Sequence, residues 1–170
     1  MAYFKGRYNG QKHNRTVGAP ARIDIDAIYR ELKSAIEERA RLEIEQKSVW
    51  DYVKRYNADR SERLIRINAG IADCTHRINL QLSQLSRYNK THRAMQLAKT
   101  YLESEIARLQ RITNRWDWII RDVEAGRSCL INGSGRSSTD TTSSREYLKS
   151  RYERIARLTK WLEHVKRFAV

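Results

Sequence analysis

Apolar residues recur every seven positions, with a second set between them, in four separate stretches of this chain. Ile28, Ala35, Leu42, Val49 and Tyr56 mark the first stretch, with Leu32 and Val53 in the intermediate position. Leu64, Ile71, Ile78 and Leu85 mark the second, interleaved with Ile67, Cys74 and Leu82. The third carries Met95, Leu102, Leu109, Trp116 and Val123, with Ala98, Ile112 and Ile119 between them. Leu148, Ile155, Leu162 and Ala169 form the last, with Leu158 and Val165. A spacing of about 3.5 residues keeps one helix face apolar against neighbours that cross with a left-handed twist. The pattern therefore predicts an all-α fold, an elongated antiparallel bundle of about four long helices over residues 24–170.

Polar punctuation separates the stripes. Asp24 or Asp26 can cap the first helix by accepting from its free N–H groups. Asn57-Ala58-Asp59 reads as a turn before the second helix, and Tyr88-Asn89-Lys90-Thr91 as another before the third, with Thr91 as the cap. Gly126 ends the third helix, and the Gly/Ser/Thr-rich segment of about 126–144 predicts a long mobile loop. Short connections make the first three helices antiparallel neighbours. Helices of roughly thirty residues would be about 45 Å long, giving a rod.

Before the first stripe the chain has a different character. Residues 1–23 contain Lys5, Arg7, Lys12, Arg15 and Arg22, no acidic side chain, three glycines and Pro20. Such an arm cannot bury a core, so its charge is open to something outside the chain. Tyr3, Phe4 and Tyr8 lie among its cations, as rings to stack on bases or to plug a neighbouring subunit. The plain alternative is a solubilising tail.

The whole chain carries a net charge of +14 on 170 residues. That predicts a partner dense in negative charge, with the phosphodiester backbone first and an anionic membrane surface second. Residues Asp24 to Tyr56 are near neutral, so the excess falls elsewhere. It sits in the arm, in the Cys74–Leu102 block with Arg77, Arg87, Lys90, Arg93 and Lys99, and in the last stretch. There Arg157, Lys160, His164 and Arg167 follow three-and-four spacing away from the apolar stripe, as a cationic ridge or an ordinary solvated face. Zinc-finger spacing, an RNP signature and a recognition-helix pattern are all absent, so contact would be through phosphates and shape.

Other chemistry finds little support. Cys74 and Cys129 are too few for a disulfide scaffold and read as free thiols in a reducing compartment. Cys74-Thr75-His76 has no second ligand pair, and Cys74 falls on an apolar stripe, so no metal site and no cofactor are expected. Glu37, Glu38, Glu43 and Glu45 lack the Glu-x-x-His spacing of di-iron bundles and read as ion-pair partners. Asn132-Gly133-Ser134-Gly135-Arg136-Ser137 lacks the Gly-Lys-Ser/Thr of a phosphate loop. With no nucleophile motif, the expectation is a protein that is not an enzyme. The basic start has no apolar run, which predicts no signal peptide, and no stretch is long and apolar enough to span a bilayer. Trp116 occupies a stripe position and reads as core, whereas Trp50 and Trp118 lie off the stripes and are candidate subunit contacts.

The basic arm (Tyr3-Phe4-Lys5-Gly6-Arg7-Tyr8), the bend at Pro20 and the long helices with basic surfaces together resemble the coat proteins of filamentous archaeal viruses, of the lipothrixvirus and tristromavirus type. The likeness spans the chain and is architectural, with no family site residue to carry over. It implies many copies wrapping linear double-stranded DNA into a helical nucleoprotein, a related second coat subunit, DNA in an A-like form and a lipid envelope. Such a protein would be made in the host cytoplasm and end in the virion. The competing expectation is a helical scaffold or adaptor for phage or virus assembly that binds protein. A membrane-surface protein ranks below both, because the four stripes leave no free amphipathic helix.

Overall fold

The computed structural model describes residues 24–56, 61–131 and 137–169. Four helices follow in order: α1 (Ile25–Tyr56), α2 (Ser61–Leu85), α3 (Arg93–Glu124) and α4 (Thr142–Lys166). The all-α bundle expected from the stripes is what the chain forms. α1 packs along α2 and α3 along α4, two helical hairpins joined by the turn at 86–92.

The helix ends show why the chain breaks where it does. Asp24 caps α1, its Oδ1 accepting from the Ala27 N–H at 3.0 Å. At α3 the cap is His92 and not Thr91: its Nδ1 accepts from the Ala94 N–H at 3.1 Å. That imidazole does the work of the shorter Ser, Thr or Asp side chain that sequence rules favour. α3 closes through Gly126, whose φ of +71° lets its N–H reach the Val123 carbonyl and lets Arg127 N–H reach that of Asp122.

The described residues between α3 and α4 carry more regular structure than the expected loop. Helix α4 begins at Thr142, taking in the loop's last three expected residues, with Asp140 Oδ1 accepting from the Thr142 N–H at 2.9 Å. A two-rung antiparallel ladder pairs β1 (Leu130–Ile131) with β2 (Ser137–Ser138), Leu130 opposite Ser138. The Asn57-Ala58-Asp59 turn and residues 132–136 lie outside the described residues.

The four stripes do not merge into one continuous core. A shared core gathers Ile28, Leu32 and Ala35 from α1, Ile78, Leu82 and Leu85 from α2, the Ala94–Leu109 face of α3, and Leu158 and Val165 from α4. Full burial of each large side chain contributes about 1.5–3 kcal/mol. Farther along, Val49, Leu64 and Ile67, flanked by Leu42, Val53 and Ile71, form a separate cluster that belongs to α1 and α2 alone. Between the two lies a charged layer. Arg39 and Glu43 of α1 meet Glu105 and Arg108 of α3 and Arg154 of α4. Polar side chains on the facing helices end the four-helix core at that level. In the outer half of α3 the buried line runs through Leu109, Thr113, Ile120 and Val123, so Ile112, Trp116 and Ile119 are half-buried flanks instead of its centre.

Candidate nucleic-acid interface

Helix direction brings four termini to one end of the bundle. The start of α1 touches the start of α3 through Asp26 and Arg93, 2.8 Å apart. The end of α4 reaches the α2–α3 turn, where His164 Nε2 lies 3.0 Å from the Tyr88 carbonyl. His164 thus leaves the expected ridge; it is half-buried against Phe168, with ring centroids 5.3 Å apart, and ties α4 to the turn. Residues 1–23, with the candidate residues Tyr3, Phe4, Lys5, Arg7, Tyr8, Lys12, Arg15 and Arg22, lie outside the described residues, and they join the chain at this same end.

The candidate cations divide by what already holds them. Arg87 and Lys90 in the turn, Arg157 and Lys160 on α4, and Arg167 just past its end are exposed and form no ion pair with a described residue. Arg93 differs. It pairs with Asp26 and stacks over the Tyr29 ring, 4.3 Å from guanidinium carbon to ring centroid. The Arg93 hydrogen bond is the main influence holding the Asp26 carboxyl below its usual range. Arg77 is also committed, with Nε 2.7 Å from Glu31 and Nη1 2.8 Å from Glu38, and these bonds raise its pKa further. The charge excess counted over Cys74–Leu102 is therefore partly cancelled by α1, a pairing no count within the block reveals.

The ends of α2 and α4 also enclose a groove. His76, Asn79, Leu80 and Ser83 line one wall and Arg157 and Trp161 the other, around a cavity of about 290 Å³. Trp161 rests partly on the shared core, and Leu80 is 49% exposed. Leu80 did not stand out in the sequence, and Trp161 did so only as one of four tryptophans, without a role. The signal for Leu80 was its place off the α2 stripe, and for Trp161 its place one position from Lys160.

Elsewhere the chemistry is structural. Cys74 is buried in the core, where burial pushes its thiol up, and Cys129 is exposed. Among the described residues no group of three His, Cys, Asp or Glu side chains could hold a metal ion. Also among them, no helix is long and apolar enough to cross a membrane. Trp118 is 66% exposed and Trp50 46%, whereas Trp116 packs edge-on against Tyr147 with centroids 5.9 Å apart. No protein-family model, curated protein or solved structure matches this chain.

Proposed function

We propose that the chain is a non-enzymatic structural protein that coats nucleic acid, a filamentous-virus capsid subunit that wraps double-stranded DNA and self-assembles into a helical nucleoprotein. The observation that carries this reading is the collection of exposed cations with no ion-pair partner among the described residues, Arg87, Lys90, Arg157, Lys160 and Arg167, at the end of the bundle where the basic arm joins. Most other arginines of α1 to α3 face carboxylates of the chain itself; Arg39, Arg63, Arg66, Arg77, Arg108 and Arg121 are examples. Cations that no described residue pairs with, beside a segment with no acid, suit a polyanion that runs past that end. Lys5, Arg7, Lys12 and Arg15 would grip its backbone, Tyr3, Phe4 and Tyr8 would stack or contact the next subunit, and recognition would be of phosphates and not of base sequence. Duplex DNA, a related second subunit and an outer envelope follow from the resemblance to archaeal filament coats.

Five phosphate contacts from the bundle and four from the arm give a log–log salt slope of about −8 on duplex DNA. Titration of labelled duplex at several salt concentrations measures it, and a salt-independent affinity would refute the reading. Filaments seen by negative stain only after DNA is added would support assembly on nucleic acid. A scaffold that binds protein is the second reading, favoured by the exposed Trp50 and Trp118. Deleting residues 1–22 separates the two: lost DNA binding with retained fold supports coating, and lost self-association alone supports the scaffold.

A further inference from the structure

We infer that the groove between α2 and α4 takes an unpaired nucleotide, so that the chain holds single-stranded nucleic acid at this point and not only a duplex backbone. This rests on the nucleic-acid reading above and changes the strandedness of its ligand. A duplex presents phosphates and sugars and keeps its bases stacked inside, so a groove for duplex backbone needs cations and polar donors only. This groove has more. Its lining joins an aromatic ring, Trp161, to an exposed aliphatic side chain, Leu80, with the Asn79 amide and the Ser83 hydroxyl beside them. Those are the parts of a single-strand site: an apolar platform for a base, and donors and acceptors for its edge.

The cations lie where the phosphates of that nucleotide would run. Arg157 lines the groove without an acidic partner among the described residues. Lys160 follows it on α4, and Arg87 lies in the turn beyond Ser83. Contact between His164 and the Tyr88 carbonyl fixes the turn that carries Arg87 against α4.

The test compares full-length protein on a thymidine oligonucleotide of about twenty nucleotides and on a duplex of the same length, at one salt concentration. Leu80→Ser changes no charge and alters an exposed side chain, and Trp161→Leu removes the platform. Wild-type protein should bind the single strand as well as the duplex. Each variant should lower single-strand affinity by about 5-fold or more while duplex affinity changes less than about twofold. Because Trp161 touches the core, circular dichroism must show Trp161→Leu folded, and Leu80→Ser decides the matter if it is not. Equal losses on both ligands, or no loss on either, would overturn the single-strand site and leave duplex coating standing. Failure of wild-type protein to bind either probe would overturn the nucleic-acid reading itself.

Discussion

Glu105 is the charged side chain whose removal should cost this fold most. It is buried, and three arginines share its carboxylate. Arg108 donates at 2.8 and 2.9 Å, Arg154 at 2.9 Å and Arg39 at 3.2 and 3.3 Å. Burial pushes its pKa up, but the Arg108 hydrogen bonds and the three positive charges outweigh that, so the carboxyl lies below its ordinary range. Tyr101 beside it is pushed up to about 12, chiefly by burial, and remains a neutral acceptor for Arg39. Glu105→Gln keeps the shape and removes the charge, leaving buried Arg39 with Glu43 alone and Arg154 with no carboxylate. Breaking a buried pair from one side costs about 3–5 kcal/mol. Arg108 is 38% exposed and Arg154 20%, which lets water relieve part of the loss, so the lower figure applies, about 3 kcal/mol. On a chain of this size that lowers Tm by roughly 6–12 °C. Urea unfolding followed by far-UV circular dichroism reads it. The depressed pKa fixes the pH dependence. Stability from Glu105 is fully present above the unfolded carboxyl value near 4.5 and is lost as pH falls through the lower folded value. Wild type and Glu105→Gln should therefore converge in acid. A difference below about 1 kcal/mol at neutral pH would show that the charged layer is held by solvent and not by this carboxylate.

Other substitutions probe smaller features. Gly126→Ala places a side chain at φ +71° and should cost about 1 kcal/mol by thermal melting, with open space around the new methyl. Removing the α3 cap with His92→Ala should cost about 0.5–2 kcal/mol, and His92→Asn should recover most of it. A thiol reagent should label exposed Cys129 in the native protein and reach Cys74 only in denaturant, as mass spectrometry of the two peptides would show. Trp118→Ser should leave monomer stability within about 0.5 kcal/mol, so any change in sedimentation would come from a subunit contact through this ring.

The fold was largely legible in the sequence because apolar period is a local signal. Each stripe names a face of its own helix, and the core bears out Ile28, Leu32, Ala35, Cys74, Ile78, Leu102 and Leu158. How far that core extends was not legible. Whether Arg39, Glu43, Glu105 and Arg154 are surface charges or a buried layer depends on which helices face each other, and no period within one helix records that. The same limit applies to the candidate interface. Arg93 and Arg157 look alike as isolated basic residues, yet Asp26 and Tyr29 hold the first while no described residue forms an ion pair with the second. His92 as a cap was missed because imidazole ranks low in capping statistics, and here its ring is positioned by Tyr29 edge-on and by Asp26 at 3.4 Å.

The charged layer also bears on what the two hairpins are for. A chain that needed only a stable four-helix rod would gain from apolar residues at Arg39, Glu105 and Arg154, since replacing buried ion pairs by well-packed apolar groups is often neutral or stabilising. Retaining them confines the four-helix core to the end that carries Arg87, Lys90 and Arg167, and leaves the outer part of α1 and α2 packed only on each other. Trp50 and Ile44, both exposed, belong to that outer hairpin, and Trp118 to the outer part of α3. The exposed Ile44, Trp50 and Trp118 therefore lie on the outer part of the helices, away from the end that carries Arg87, Lys90 and Arg167. A polyanion at one end and protein contacts at the other would engage different residues, so neutralising Arg157 and Lys160 should weaken nucleic-acid binding without altering self-association.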